Sequence, residues 1–176
     1  MDATRFESLA LPHLDAAYNL ARWLVRNDDD ASDIVQDAFV RAMRSFDGFR
    51  GDQARPWILA IVRNTAYSWL GKNRDPHQVP YEPDLHDEAD GRETPSPEQE
   101  LSRLQDRRAI NDALARLPIE MRETVVLREL QDLSYREIAS IQAVPVGTVM
   151  SRLSRGRQLL GRYLKREFAG VEDEQR

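Results

Sequence analysis

The chain has 176 residues, of which 41% are hydrophobic and 31% charged, and it contains no cysteine. This length allows one ordinary domain or two small ones, and the lack of thiols excludes disulfides, thiolate metal sites and cysteine nucleophiles. The longest apolar run, at 57–62, has six residues, far short of the ~20 that span a bilayer. Because the N-terminus also lacks a signal-peptide pattern, we expect a soluble cytoplasmic protein.

The formal net charge of −5 argues against nucleic-acid binding until its distribution is considered. Residues 1–75 carry 10 basic and 11 acidic side chains, residues 76–100 carry 1 and 8, and residues 101–176 carry 14 and 11. Between Ile138 and Arg166 there are six basic residues and no acidic one. The acidity of the middle segment therefore conceals a basic surface near the C-terminus.

The chain divides into two helical modules and a linker. Residues 76–100 hold five of the nine prolines and few apolar side chains, so they cannot bury enough surface to offset their ordering entropy. We predict a flexible acidic linker there, between domains at 1–75 and 101–176. No β-alternation of useful length is present, so the predicted fold is all-α, with two small helical domains.

In the N-terminal module, apolar residues recur at helical spacing over 11–25 and again over 31–46. The three carboxylates at 28–30 could suggest a metal site, but an N-cap and first-turn charge is the simpler interpretation. The polar face of the second helix carries Asp33, Gln36, Asp37, Val40, Arg41 and Arg44. The valine on that face is either a protein contact or a lone exposed residue.

A third helix is predicted to begin at Pro56, a residue suited to a first turn. Trp69 lies in its apolar arc and is expected in the core. Its polar arc holds Arg63, Asn64, Tyr67 and Ser68. An arc that interleaves arginine, an aromatic ring and an amide suits single-stranded nucleic acid, although an ordinary solvated face has the same composition.

The C-terminal module predicts a helix-turn-helix. A helix is expected over 118–130, and Ser134 and Glu137 form a capping box that starts a short helix. The chain turns at 142–144, and a longer basic helix runs from about 145 to beyond 164. A short helix, a tight turn and a longer basic helix form the helix-turn-helix arrangement.

The last helix has one apolar and one basic side. Its predicted core arc contains Val149, Leu153, Gly156, Leu160 and Leu164. The opposite side contains Thr148, Ser151, Arg155, Gln158 and Arg162, with Arg152 at its edge. Small hydroxyls allow close approach to a major groove, and arginines reach guanine edges or phosphates. We expect this side to contact duplex DNA, since a merely solvated face would ordinarily include acids.

These features resemble the bacterial sigma factors of the extracytoplasmic-function (ECF) group of the sigma-70 family. Residues 33–39 (DIVQDAF) resemble the helix that grips the clamp of core RNA polymerase. Residues 46–52 (FDGFRGD) and 57–66 resemble the segment that opens the −10 element. Residues 133–139 (LSYREIA) and 144–149 (VPVGTV) resemble the helix-turn-helix that reads the −35 element.

The resemblance covers about residues 5–74 and 101–166, with motifs that agree in order and spacing. It implies that 1–75 is sigma region 2 and 101–176 is sigma region 4. The implied core polymerase-binding residues are Asp33, Gln36, Asp37 and Val40, the implied −10 contacts are Arg63, Asn64, Tyr67 and Ser68, and the implied −35 contacts are Thr148, Ser151, Arg152 and Arg155. Met150 and Ser154 depart from the family pattern, so the usual −35 consensus is in doubt here.

The implied partners are core RNA polymerase, promoter DNA (a −35 duplex and a −10 single strand), and an anti-sigma factor that occludes these surfaces until a stress signal arrives. Without cysteine, any thiol sensing would lie in that partner. No cofactor, metal site or catalytic constellation is expected, because His13, His77 and His86 have no metal-ligand spacing. We therefore do not expect an enzyme.

The linker supports a scaffolded arrangement. Its 25 residues would span roughly 25–30 Å as a coil and about 80 Å fully extended, whereas promoter elements some 25 base pairs apart lie about 85 Å apart. Polymerase would hold the stretched linker. One alternative is a helix-turn-helix regulator that acts without polymerase, which leaves the 31–46 helix without a purpose. Another is a sigma mimic that titrates an anti-sigma factor, which need not keep a basic recognition helix.

Overall fold

The computed structural model describes residues 3–51, 53–73 and 97–174, and within these ranges the chain is helical with no strand. The all-α prediction is therefore confirmed. None of the described helices is both long and apolar enough to cross a bilayer. The helices are α1 (Ala3–Ala10), α2 (Leu14–Val25), α3 (Asp28–Ser45), α4 (Ala54–Lys72), α5 (Pro97–Ala115), α6 (Ile119–Val125), α7 (Tyr135–Gln142) and α8 (Val146–Glu174), with 3₁₀ turns at Leu11–His13 and Phe46–Gly48 and a π turn at Val126–Leu130.

The start of α3 corrects one detail of the sequence prediction. The side chain of Asn27, not an aspartate, caps the helix by accepting a hydrogen bond from the backbone N–H of Asp30 at 2.9 Å. The three carboxylates at 28–30 fill the first turn, where the helix dipole favours negative charge. The observed cap and the position of the carboxylates in the first turn agree with the first-turn interpretation.

The N-terminal half, α1 to α4, packs α2, α3 and α4 against one another. The buried side chains of α3 and α4 are Ala31, Ile34, Val35, Ala38, Ala42, Ala54, Ile58, Leu59, Val62, Thr65 and Ala66. Helix α4 begins two residues before the predicted Pro56, and Trp69 is only partly buried against the core. The turn after α3 is held by aromatic rings, with Phe49 stacked on Trp57 at a centroid distance of 4.5 Å.

The C-terminal half, α5 to α8, contains the predicted helix-turn-helix. The capping box of α7 is confirmed: the hydroxyl of Ser134 accepts from the N–H of Glu137 at 3.2 Å, and the carboxylate of Glu137 accepts from the N–H of Ser134 at 2.7 Å. Ala143 adopts the left-handed conformation (φ 53°) that ends α7. On α8, Val149 and Leu153 are buried as predicted. These features fix the angle at which α8 leaves the turn.

Gly156 permits the close crossing of α6 and α8. A Cβ atom at this position would lie 2.9 Å from Cγ2 of Val125 and 3.5 Å from Cβ of Met121. Any larger residue would therefore push the two helices apart. The prediction that this glycine belongs to the core arc is confirmed by its burial.

The predicted linker at 76–100 lies mostly outside the described residues, together with His77 and His86. Its last four residues, from Pro97, already belong to α5. The two halves are in contact, with α6 packed on α2 and α7 packed on α4. Five residues of the C-terminal half share one buried cluster with the N-terminal half: Leu127, Leu133, Ile138, Ile141 and Val149. The sequence did not predict this contact.

Candidate polymerase and promoter interfaces

The four predicted core-binding residues form one exposed strip along α3, which we call the polymerase face: Asp33, Gln36, Asp37 and Val40. Val40 is 40% exposed and lies one turn after Gln36 and Asp37. Asp37 accepts a hydrogen bond from Nε of Arg41, one turn later, at 3.0 Å, and Nη2 of Arg41 forms an ion pair with the same carboxylate at 2.9 Å. The opposite side of α3 is buried in the core, so the strip is held by rigid packing.

A groove of about 330 Å³ lies between α3 and α4. Asp33 and Asp37 line it from α3, and Ser68 and Lys72 line it from α4. One residue of the predicted −10 set therefore lies beside two residues of the polymerase face. A partner bound along α3 would also meet the end of α4.

The predicted −10 residues, which we call the −10 face, divide into two pairs. Asn64 and Ser68 are exposed, whereas Arg63 and Tyr67 are partly buried. The guanidinium of Arg63 lies over the ring of Tyr67, 4.4 Å from its centroid. This is the geometry of a cation–π contact, and it fixes both side chains in one orientation.

Glu123 of α6 binds both members of the buried pair. Nε of Arg63 donates to Oε1 at 2.5 Å, and the hydroxyl of Tyr67 donates to Oε2 at 2.9 Å. We call these two bonds the Glu123 contact. The Glu123 side chain is 0% exposed, and its burial raises the pKa of the carboxyl even though Arg63 and Tyr67 favour the charged form. Burial, with the adjacent Glu123 charge, also raises the pKa of Tyr67 far above its usual range.

Sequence reasoning did not identify Glu123. It lies four residues after Ile119 and four before Leu127, a register that belongs to the buried side of its helix. An acid at such a position requires a partner, because an unpaired buried carboxylate is costly. That requirement was the available signal, but the identity of the partner depends on how the two halves pack.

Three further polar contacts join the halves. Arg122 donates to the backbone oxygen of Trp23 at 3.1 Å and also to the oxygens that end α5; burial lowers its pKa to about 10. Nε2 of Gln131 donates to the oxygen of Ala16 at 2.9 Å. Nη2 of Arg55 donates to the backbone oxygen of Gln131 at 2.8 Å. The interface is thus polar at several points as well as apolar.

The predicted −35 residues lie at the start of α8. Ser151 and Arg155 are exposed, and Thr148 is partly buried. Arg152 is partly buried because its Nη1 donates to Oε1 of Gln142 at 3.3 Å, whose amide in turn donates to the hydroxyl of Thr124 at 2.9 Å. Ser151 and Arg155 are therefore open to a partner, whereas Arg152 is partly engaged by Gln142.

Comparison with known proteins identifies both halves. The family model for sigma-70 region 2 matches residues 9–75, and that for sigma-70 region 4 matches residues 107–160. The chain is 37% identical to the ECF RNA polymerase sigma-E factor of Haemophilus influenzae over 150 residues, which covers 80% of this chain and 77% of that protein. The chain belongs to the ECF sigma factors of the sigma-70 family. It is also 32% identical to the RNA polymerase sigma-H factor of Pseudomonas aeruginosa over 170 residues, covering 93% and 88% of the two chains.

Two solved structures share the fold. The sigma factor RpoE from Bartonella quintana, in complex with the anti-sigma factor NepR, has a TM-score of 0.72 and 26% identity and covers 93% of this chain and 98% of that one. CnrH, in complex with the cytosolic domain of CnrY, has a TM-score of 0.64 and 25% identity, with coverages of 93% and 90%. The sequence prediction of a sigma factor with helical regions 2 and 4 is therefore confirmed.

Proposed function

We propose that this sigma factor divides promoter recognition among three surfaces. The polymerase face of α3 binds core RNA polymerase, the −10 face of α4 captures the opened strand, and α8 reads the −35 duplex. The −35 set, which we call the −35 face, comprises Thr148, Ser151, Arg152 and Arg155. In this proposal residues 1–75 form region 2, residues 76–100 form the linker, and residues 101–176 form region 4.

The exposed start of α8, placed by the capped helix before it, is the observation that carries the proposal. Ser151 and Arg155 lie one turn apart on the exposed side, while Val149 and Leu153 fix the opposite side in the core. A small hydroxyl residue followed by an arginine suits close approach to a major groove and bidentate binding of guanine. Met150 is 53% exposed and lies beside them, so apolar contact with a thymine methyl can replace a basic contact there.

Transcription of fragmented bacterial genomic DNA by core polymerase, with and without the protein, tests this function. We expect new transcript starts that share two upstream motifs. Arg155→Ala should remove most starts that depend on the −35 motif, whereas Arg166→Ala, at an exposed arginine about three turns further along α8, should leave them. No new starts, with no co-elution of protein and core, would contradict the assignment of the three surfaces.

Strand opening in this proposal needs no catalytic group. Unstacking a base costs a few kcal/mol, and capture of the base by a protein surface offsets that cost. The protein therefore acts as a binding subunit rather than as an enzyme. Its place of action is the cytoplasm, and the nucleoid when it is part of the holoenzyme.

An anti-sigma factor is the proposed regulatory partner, supported by the similar sigma factor RpoE from Bartonella quintana, which was solved with the anti-sigma factor NepR bound. Purification of the tagged chain from unstressed and stressed cells tests this. We expect a stoichiometric non-polymerase protein before stress and core polymerase afterwards. Recovery of polymerase in equal amounts under both conditions, with no second protein, would contradict it.

A further inference from the structure

A chain of hydrogen bonds inside region 4 ends at a residue of the −35 face. The hydroxyl of Thr124 in α6 donates to the backbone oxygen of Glu120 at 2.6 Å. Nε2 of Gln142, the last residue of α7, donates to Oγ1 of Thr124 at 2.9 Å. Nη1 of Arg152 in α8 donates to Oε1 of Gln142 at 3.3 Å. We call these bonds the Gln142 network, and they connect α6 to both helices of the helix-turn-helix.

The direction of each bond is determined from the interior outward. Oε1 of Gln142 lies 3.4 Å from the Thr124 hydroxyl, but the 2.6 Å bond to Glu120 is much shorter and takes the hydroxyl hydrogen. The hydroxyl oxygen then accepts from the amide nitrogen of Gln142, so the amide oxygen faces α8. A guanidinium has donors only, and Arg152 therefore meets the one end of the amide that can bind it.

The position of Gln142 leaves its amide little freedom. Gln142 is 3% exposed and Thr124 is 0% exposed. Buried polar groups are costly when they are unpaired, so the amide is confined to the orientation that satisfies both of its ends. Ala143, the next residue, adopts the left-handed conformation that ends α7. The end of α7 thus presents a fixed acceptor to the first turns of α8.

Arg152 lies at the edge of the DNA side of α8, beside the exposed Ser151 and Arg155. Burial raises the pKa of the Glu123 carboxyl, and the charge of Arg152 partly opposes that shift, which indicates that the guanidinium lies on the α6 side of the helix. An arginine at this edge suits a phosphate beside the groove better than a base within it. Gln142 uses one N–H of the guanidinium, and the others suit a phosphate oxygen.

We propose that Gln142 is a positioning residue for −35 recognition, which holds the guanidinium of Arg152 in the orientation that binds a backbone phosphate beside the −35 groove. Gln142 itself does not touch the DNA. This inference deepens the proposed function of the −35 face and rests on it. Ser151 and Arg155 then read bases, while Arg152 fixes the register of α8 on the duplex, as phosphate contacts do.

The gain in affinity comes from preorganisation. Immobilising a long side chain during binding costs affinity, and a side chain that is already held does not incur that cost. Release of Arg152 from Gln142 should therefore weaken DNA binding about two- to tenfold. The charge remains, so the dependence of affinity on salt should not change. Removal of Arg152 itself should weaken binding and also reduce the salt slope by about 1, the signature of one lost phosphate contact.

The first measurement determines whether the network forms in the free, full-length chain. Gln142→Met has a side chain of similar length without the amide. Denaturant unfolding of Gln142→Met, Arg152→Ala and the double variant gives their losses of stability. We expect the combined loss to be smaller than the sum, because both single changes remove the same bond. Gln105→Met, the same substitution at an exposed position of α5, should be additive with Arg152→Ala. Additive losses for Gln142→Met would overturn the inference.

The second measurement is binding of the holoenzyme to a labelled promoter duplex that carries the two motifs defined by the mapped transcript starts, at several salt concentrations. Gln142→Met should weaken binding two- to tenfold with an unchanged salt slope, and to the same degree on duplexes with altered −35 bases. In the Arg152→Ala background it should cause no further loss. A merely structural role for Gln142 would weaken binding equally in both backgrounds, and that result would overturn the inference.

The outcomes separate the inference from the function on which it rests. Unchanged affinity and slope with Arg152→Ala would show that Arg152 is wrongly assigned to the −35 face, and the inference would fail with that assignment. Should Gln142→Met fail to fold, Thr124→Val decides instead, because it removes the hydroxyl that orients the Gln142 amide and leaves Arg152 in place. Its loss of affinity must then disappear in the Arg152→Ala background, and a loss that persists there would overturn the positioning role alone.

Discussion

The exposed strip of α3 and the polar arc of α4 belong to neighbouring helices of region 2. A residue of region 4 binds two side chains of the α4 arc, whereas the four residues of the α3 strip are exposed. On α3, Asp33 and Asp37 are exposed. On α4, Arg63 and Tyr67 are bound by Glu123 of region 4. Two surfaces with separate proposed tasks therefore differ in exposure: the α3 residues are open to solvent, and half of the α4 set is bound by Glu123.

The difference follows from how each helix is packed. Helix α3 buries a single apolar arc and leaves the rest to solvent, as an ordinary amphipathic helix does. Helix α4 buries one side in the region 2 core and packs the other against α7. Trp57 and Ile61, which extend its apolar surface beyond one arc, are partly buried. A helix that is apolar around most of its circumference is one with neighbours on two sides.

Reversal of charge on the exposed strip of α3 tests its proposed role in binding core polymerase, and it has the largest expected effect of the changes proposed. Asp33→Arg with Asp37→Arg should weaken binding to core polymerase on the order of 100-fold, because like charges across an interface cost several kcal/mol. Stability should change little, since both carboxylates are exposed and exposed ion pairs contribute ~0–1 kcal/mol. Titration of labelled protein with core polymerase measures the affinity.

Asp29→Arg is the matched control on the same helix, since Asp29 is also exposed but lies in the first turn. Its affinity for core should stay close to that of the unmodified chain. Addition of Glu123→Gln to the double reversal should not restore binding, because the two surfaces are independent. Full affinity in the double reversal would mean that polymerase binds elsewhere.

A larger residue at Gly156 tests whether the position of Glu123 depends on the packing of α6 against α8 inside region 4. Gly156→Val places a side chain against Val125 and Met121 of α6, the helix that carries Glu123. We expect a loss of about 1–3 kcal/mol in the free energy of unfolding, the usual cost of overpacking. Denaturant unfolding measures it. Gly161→Val is the control on α8, because a Cβ at Gly161 meets nothing within 4 Å; an equal loss there would contradict the packing argument.

Local signals predicted much of this fold. The capping box at Ser134 and Glu137 depends on residues three apart, and the buried arc of α8 depends on helical periodicity, so both could be derived from the sequence. The cap at Asn27 was missed because three aspartates beside it are equally good capping residues. The Glu123 contact was missed for a different reason: its partners lie 56 and 60 residues away, and no local pattern specifies that pairing.

The candidate site shows the same division. Exposure of Asn64, Ser151 and Arg155 follows from the helical wheel and agrees with the structure. The burial of Arg63 and Arg152 does not follow from it, because each arginine is drawn inward by a residue on another helix, Glu123 in one case and Gln142 in the other. A wheel describes one helix and does not include its neighbours.

Two arginines of α8 allow the same comparison of an exposed with a partly buried side chain in region 4. The expected effect of their substitution on initiation is intermediate in size. Arg155→Ala should reduce initiation at −35-dependent promoters about tenfold, since a base contact contributes ~1–3 kcal/mol, without changing the melting temperature. Arg152→Ala should lower both, because it also removes the hydrogen bond to Gln142. Transcription assays and thermal unfolding measure the two properties. Equal melting temperatures for the two variants would contradict a structural role for Arg152.

The smallest expected effect is the pH dependence of stability, and it has opposite signs at two positions. Burial, with the adjacent charge of Arg55, lowers the pKa of His13 from its usual 6.5. The folded chain therefore binds fewer protons there than the unfolded chain, so this contribution is complete above pH 6.5 and is lost as the pH falls through the lowered pKa. Burial raises the pKa of Glu123 from its usual 4.5, so its contribution is present below pH 4.5 and is lost as the pH rises through the raised value.

Thermal unfolding between about pH 7.5 and about pH 4.5 separates the two positions, because this interval begins above the usual pKa of histidine and ends at the usual pKa of glutamate. His13→Gln should reduce the loss of stability of the unmodified chain on acidification, because its side chain does not titrate. Glu123→Gln should increase that loss, because it removes the group whose protonation favours the folded chain. The exposed Glu120→Gln should follow the unmodified chain. Identical slopes for Glu123→Gln and Glu120→Gln would mean that the carboxylate of Glu123 is not buried in solution, and the contrast between α3 and α4 would then fail at the residue on which it depends.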